Sequence, residues 1–173
     1  NKVSLQYSNN PNVEDSFDTT PYEEVYVFTY KLNNTKRQDS ETGDVLEGAG
    51  FRLYSNAACN DADEIKLKQN DDGTYSRYFG TGAGEEMKSA ADGTFNVKGL
   101  DAGTYYLKET STPTGFNTCP VTTVVIKATH TGNNVNLSDS KLSTTIVNNH
   151  GTTLPSTGGI GTTIFYVVGG GLM

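Results

Sequence analysis

Three polar side chains fall in phase with apolar positions of strand-like segments, and together they supply an amine, a carboxyl and a carboxamide. In Tyr105-Tyr106-Leu107-Lys108-Glu109, Glu109 shares a face with Tyr105 and Leu107. Asn148 shares a face with Leu142 and Ile146, and Lys36 with Tyr30 and Leu32 if that strand continues through Asn33-Asn34-Thr35. Such groups on core faces are costly to bury unless they meet one another. Burial favours the uncharged amine, which is a nucleophile where an ammonium is not. A protonated carboxyl can hydrogen-bond and polarise an amide carbonyl and relay protons to a leaving nitrogen. Lys31 is out of phase with Tyr30 and Leu32 and reads as solvated, and Asn149, a rival acceptor, is in phase with Val147 instead. An ordinary Glu109–Lys36 ion pair is the competing reading, and paired charges of that kind are common.

The elements that must position these groups read as all-β. Lys2 to Tyr7 alternates polar and apolar residues, and the polar, acidic residues 9–21 read as a linker. A strand is expected over Val25–Leu32 and another over Gly50–Tyr54. Asp71-Asp72-Gly73 and Asp92-Gly93 are hairpin-type turns flanked by Ile65–Leu67, Thr74–Phe79 and Thr94–Val97. Asp101-Ala102-Gly103 turns into Thr104–Thr110, and Val121–Ala128 and Leu142–Asn148 complete the set. Roughly seven to nine short strands with regular turn signals imply a sandwich or barrel. Gly80–Ala91 is left between a loop and a single helical turn.

At 173 residues the chain is long enough for one domain with a sizeable core plus tails. A net charge of −7 argues against a nucleic-acid or anionic-membrane partner. Asp61, Asp63, Glu64, Asp71 and Asp72 lack the spacing and the glycine of an EF-hand, so no metal is expected. His130 and His150 read as isolated in polar loops, and no catalytic triad, phosphate loop or nucleotide fingerprint is present, so no cofactor is expected either. If the chain is exported, its two cysteines, Cys59 and Cys119, are expected to form a disulfide closing about 60 residues, with two free thiols as the alternative.

The segment Leu154-Pro155-Ser156-Thr157-Gly158, followed by Gly159 and an apolar run from Ile160 to Met173, resembles the LPxTG sorting signal of Gram-positive surface proteins. Pro155 disfavours helix there and keeps the pentapeptide extended. The resemblance implies that a sortase cysteine attacks the Thr157–Gly158 bond and passes the Thr157 carbonyl to an amine on the cell wall or on another pilin. The run of about 14 apolar residues is shorter than the roughly 20 of a full span, and reads as the front of a membrane segment removed on sorting.

Lys36, Leu46-Glu47-Gly48-Ala49-Gly50-Phe51, Tyr105-Tyr106-Leu107-Lys108-Glu109-Thr110 with Pro113-Thr114-Gly115-Phe116, and Ile146-Val147-Asn148 resemble, in that order, the motifs of CnaB-type domains of pilins and adhesins. The resemblance covers about residues 22–150. It implies a two-sheet sandwich of inverse immunoglobulin, prealbumin-like type, and a spontaneous isopeptide bond between Lys36 and Asn148 assisted by Glu109, the glutamate of the family's E-box. Polar Asn33 and Asn34 stand where apolar residues usually precede that lysine. Residues 1–21 then read as the last strand of a preceding domain plus a linker, with Asn9 either the isopeptide acceptor of that domain or a turn residue before Pro11. Residues 22–150 are the sandwich, 151–159 the sorting motif and 160–173 the start of the membrane segment, and the whole is expected to be part of a longer precursor.

The function expected is that of a subunit of a sortase-assembled pilus, extracellular and attached to the wall, with sortase, neighbouring pilins or peptidoglycan as partners. The alternatives are the stalk of a wall-anchored adhesin, with a host ligand held upstream, or of a tethered surface enzyme. In none of these readings is the domain itself an enzyme beyond its own cross-linking.

Overall fold

The computed structural model describes residues 2–8, 12, 17–137 and 140–151. Asn9, the pentapeptide Leu154–Gly158 and the apolar run after it lie outside the described residues. Strands dominate and no α-helix occurs among the described residues, so the all-β expectation holds. The chain opens with four short strands, β1 (Lys2–Val3), β2 (Gln6–Ser8), β3 (Phe17–Thr19) and β4 (Glu23–Glu24). β2 pairs antiparallel with β3 and β1 with β4, so part of the expected linker folds back on the first strand as a hairpin.

The remaining strands are β5 (Tyr30–Gln38), β6 (Gly50–Tyr54), β7 (Glu64–Ile65), β8 (Leu67–Gln69), β9 (Tyr75–Arg77), β10 (Met87–Lys88), β11 (Val97–Leu100), β12 (Gly103–Ser111), β13 (Thr122–Ile126), β14 (Thr129–Thr131), β15 (Asn134–Asn136) and β16 (Ser143–Asn148). One sheet runs β10-β6-β12-β13, with β7 also on β6, and the other runs β16-β5-β11-β9-β8. Gly73 and Gly93 sit at φ +77° in the two Asp-Gly turns, a conformation that L side chains rarely adopt. Residues 80–91 are irregular apart from β10.

The two inner faces meet in one core. Phe51 and Leu53 of β6, Tyr105 and Leu107 of β12, and Val124 and Ile126 of β13 face Tyr30 and Leu32 of β5, Val97 and Leu100 of β11, and Ile146 of β16. Phe51 stacks on Phe95 with ring centroids 4.5 Å apart, an arrangement that adds to the area both rings bury.

The first long strand begins later than its β-branched and aromatic residues suggest. Residues 25–29 are outside any strand, and Val25, Tyr26 and Val27 are exposed. The ladder partners run out there: Leu100 faces Tyr30 on one side of β5, and Ser143 faces Asn33 on the other. Propensity makes a strand only where a neighbour supplies the hydrogen bonds. At its other end β5 continues through Asn33-Asn34-Thr35 to Gln38, with Tyr30, Leu32, Asn34 and Lys36 all on the buried face.

Candidate functional site

The site lies where β5, β16 and β12 meet. β16 runs parallel to β5 at the edge of its sheet, with Ile146 opposite Lys36 and Asn148 opposite Gln38. β12 belongs to the facing sheet, where Glu109 lies opposite Phe51 of β6. Lys36 is 0% exposed, Asn148 1% and Glu109 5%. The backbone of Lys36 is held by the turn before β11: its N–H donates to the Gly93 carbonyl at 2.8 Å. A Cβ on Gly93 would come within 2.6 Å of the Lys36 carbonyl oxygen, so this position needs glycine for space as well as for its φ.

The three side chains form a chain of hydrogen bonds. Lys36 Nζ donates to Asn148 Oδ1 at 2.5 Å, and Asn148 Nδ2 donates to Glu109 Oε1 at 2.6 Å. The other carboxyl oxygen of Glu109 accepts from the Cys119 N–H at 2.8 Å. Lys36 Nζ also lies 5.5 Å from the centre of the Phe51 ring, which forms an apolar wall beside the amine. Burial holds the Lys36 amine below its ordinary pKa, against the opposing pull of Cys119 and Glu109. The three residues singled out in the sequence are therefore brought together. One detail differs from the expected geometry: the nitrogen of the Asn148 amide, not its oxygen, faces Glu109. In this arrangement the carboxyl stands beside the nitrogen that would leave, and the amine stands beside the carbonyl.

The expected Cys59–Cys119 disulfide is corrected, because both cysteines are free thiols. Cys119 is tied to Glu109, which faces Phe51, whereas the chain reaches Cys59 only after leaving β6 at Tyr54. Cys59 lies in reach of Tyr54 at the end of β6, and Cys119 beside the Glu109–Phe51 pair at its start, so the two thiols belong to different ends of that strand. Burial pushes the Cys119 thiol up to about 11, so it stays a neutral, weakly reactive thiol within electrostatic reach of Lys36 and Glu109. The sequence gives no sign of this neighbour, because Cys119 lies in the irregular segment between β12 and β13.

The two histidines are not isolated. His130 stacks on Phe28 at 4.5 Å and its Nε2 is 3.3 Å from the Tyr30 hydroxyl. His150 closes the C-terminal end of the sandwich: its N–H donates to Asp39 Oδ1 at 2.9 Å, its Nδ1 is 2.7 Å from Asp39 Oδ2, and its ring lies 4.3 Å from that of Phe116. The His150 backbone N–H, and then its ring, hold the Asp39 carboxyl below its ordinary pKa. A carboxyl depressed in the folded state contributes stability above its unfolded pKa, and that contribution is lost as pH falls through the folded value. His150→Ala removes the ring but keeps the backbone N–H, so it is expected to move the Asp39 titration, followed by carboxyl NMR shifts, upward only part of the way towards 3.8. An unmoved titration would show that the ring takes no part in the clasp in solution.

A prealbumin-like sandwich, with a lysine, an asparagine and a glutamate meeting inside it, is the architecture these residues define. The family model described as the SpaA prealbumin-like fold domain matches residues 32–141, and the chain belongs to that family. Among solved structures, the group B streptococcus pilus 2b backbone protein is 32% identical with a TM-score of 0.53, over 85% of this chain and 49% of that one. The minor pilin GBS52 of Streptococcus agalactiae is 23% identical with a TM-score of 0.54, over 73% of this chain and 46% of that one. The shaft pilin SpaA of Lactobacillus rhamnosus GG is 23% identical with a TM-score of 0.51, over 74% and 48% respectively. The last two show likeness of fold alone. The chain thus spans about half the length of each of these pilins. No curated protein matches it.

Proposed function

We propose that this chain is part of a structural subunit of a sortase-assembled pilus, joined covalently through Thr157 and closed internally by a self-made Lys36–Asn148 isopeptide bond. The observation that carries the reading is the 2.5 Å contact between Lys36 Nζ and Asn148 Oδ1, with Glu109 on the far side of the same amide. The neutral Lys36 amine attacks Asn148 Cγ, a new C–N bond forms, and the Cγ–Nδ2 bond breaks. The proton shed by Lys36 Nζ travels through Glu109 to Nδ2, and one ammonia leaves. Contact between amine and amide supplies the effective molarity this slow reaction needs. The likeness to pilin backbone and shaft proteins supports the subunit reading, and Leu154–Gly158 supports sortase as the enzyme that joins it to neighbouring pilins or to peptidoglycan.

The direct test is the intact mass of a fragment ending before Leu154. One ammonia is expected to be missing, and peptide mapping is expected to join Lys36 to Asn148. A full mass would overturn the cross-link. For the anchor, a class-matched sortase is expected to cleave the complete chain after Thr157 and transfer it to an amine, and Thr157→Ala is expected to abolish transfer.

The depressed Lys36 amine gives a pH signature. In Asn148→Ala, which cannot cross-link, the unfolded chain binds a proton at Lys36 that the folded chain releases earlier. Stability is therefore expected to rise with pH from the lowered folded value up to 10.5, the ordinary lysine value. The cross-linked protein has no amine there and is expected to lack that slope. Parallel urea titrations between pH 7 and 10 read the difference. Equal slopes would mean that Lys36 is not desolvated in the folded chain.

A further inference from the structure

We propose that Asn34 and Thr144 form a polar lock between β5 and β16, closed through one internal water, that fixes the strand register bringing Asn148 to Lys36. The purpose of the lock rests on the cross-link reading above, although its geometry does not.

Asn34 is 0% exposed and Thr144 is 4% exposed. They are directly opposed in the parallel β5–β16 pair, one step along the same face from Lys36 and Ile146. Asn34 is committed on its other side: its Nδ2 donates to the Phe95 carbonyl at 2.9 Å, and its backbone N–H donates to Asn96 Oδ1 at 2.9 Å. Its side-chain oxygen is left over, and that oxygen and the Thr144 hydroxyl are the buried side-chain polar atoms without a hydrogen-bond partner among the described residues. Each such atom carries the full cost of its lost hydration if it stays unpaired. The chemistry of the pair fits one water. The amide oxygen only accepts, the hydroxyl donates or accepts, and a water has two protons to give. Internal waters are held in this way between otherwise unsatisfied groups.

The register needs such a device. Alternation of buried and exposed residues excludes a one-residue slip of β16, since that would turn its apolar residues outward. A two-residue slip keeps every face. It would place Ile146 or Leu142 opposite Asn34 and would carry Asn148 away from its place beside Gln38, from which its side chain reaches Lys36. The match of polar to polar at Asn34 and Thr144 penalises that slip in the middle of the strand pair, because an apolar partner strands the Asn34 oxygen, as the Asp39–His150 clasp penalises it at the end of β16. This also accounts for a polar residue at a fully buried position two residues before the lysine.

The test follows ammonia loss with time in the complete chain, freshly translated and sampled into denaturant for intact-mass analysis. Thr144→Val is expected to slow cross-linking by about tenfold or more, as misplacement of reacting groups does. Thr144→Ser, which keeps the hydroxyl, is expected to stay within about twofold of wild type. Equal rates for Val and wild type would overturn the positioning role. Independently, water-to-protein NOEs on the wild-type chain are expected to show a long-lived water at the Thr144 methyl group and the Asn34 side-chain amide. Their absence would overturn the lock itself. If the wild-type chain kept its full mass, the cross-link reading would fall, and the NOE measurement would still decide the lock.

Discussion

Replacing Glu109 by alanine is expected to leave the chain at its full mass and to lower its melting temperature by on the order of 15 °C. Glu109 sits between the Asn148 amide nitrogen and the Cys119 N–H, so it is the group placed to carry a proton to the leaving nitrogen. Without it the amine and the amide still touch, but ammonia has no proton donor and the bond does not form. The lost cross-link would have closed a loop across 112 positions. Loop entropy values such a closure at about 5 kcal/mol, by analogy with a disulfide of the same span. The buried Lys36 also loses its nearest carboxylate, which adds to the penalty. Intact mass and calorimetry on the same sample check both parts. A Glu109→Ala chain that still loses ammonia would show that the carboxyl is dispensable. One that keeps its mass but melts at the wild-type temperature would show that the bond contributes nothing to stability.

Phe51→Ala is expected to cost about 3–5 kcal/mol and to slow cross-linking as well. Phe51 is fully buried, stacks on Phe95 and walls the Lys36 amine at 5.5 Å. The truncation opens a cavity at the centre of the two-sheet contact and lets water reach the amine. Hydration stabilises the ammonium, raises the amine towards its ordinary pKa, and so removes nucleophile at neutral pH. Phe51→Leu, which refills most of the cavity, is expected to recover more stability than rate. Denaturant titration and a cross-linking time course separate the two effects. A Phe51→Ala chain that cross-links at the wild-type rate would remove the ring from any part in keeping the amine dry.

The parts legible in the sequence were those governed by the two-residue period. Lys36, Glu109 and Asn148 could be placed on core faces because each follows buried neighbours at even spacing, and the structure puts all three inside. The Asp-Gly turns were legible because their backbone conformation calls for glycine. What failed depended on neighbours far along the chain. Val25–Phe28 looks like strand, yet no ladder extends to it. The pairing of Asp39 with His150 spans 111 positions, and nothing local announces it. The disulfide expectation failed because it rested on compartment alone, while Cys59 and Cys119 lie in irregular segments whose course is set by contacts that the sequence does not announce. Asn34 looked like a weakness in the inward-facing pattern, and is instead a buried residue whose partners come from Phe95 and Asn96.

The parallel pairing of β5 and β16 has a consequence for extensibility. Because the two strands run in the same direction, the chain enters this pair at one end of the sandwich and leaves it at the other. Tension applied to both ends therefore slides the strands along each other and loads their hydrogen bonds together, rather than opening them one at a time. With Lys36 joined to Asn148, the tensile path runs from Tyr30 to Lys36 and straight out through Asn148. Everything between those two residues is slack. The residues of β5 ahead of Lys36 are already extended, at about 3.3 Å per residue against a maximum of about 3.6 Å, so peeling them lengthens the domain by only about 2 Å. A shaft built from such units would respond to pull as a cable of nearly fixed length, passing force to its attachment point without spending it on unfolding.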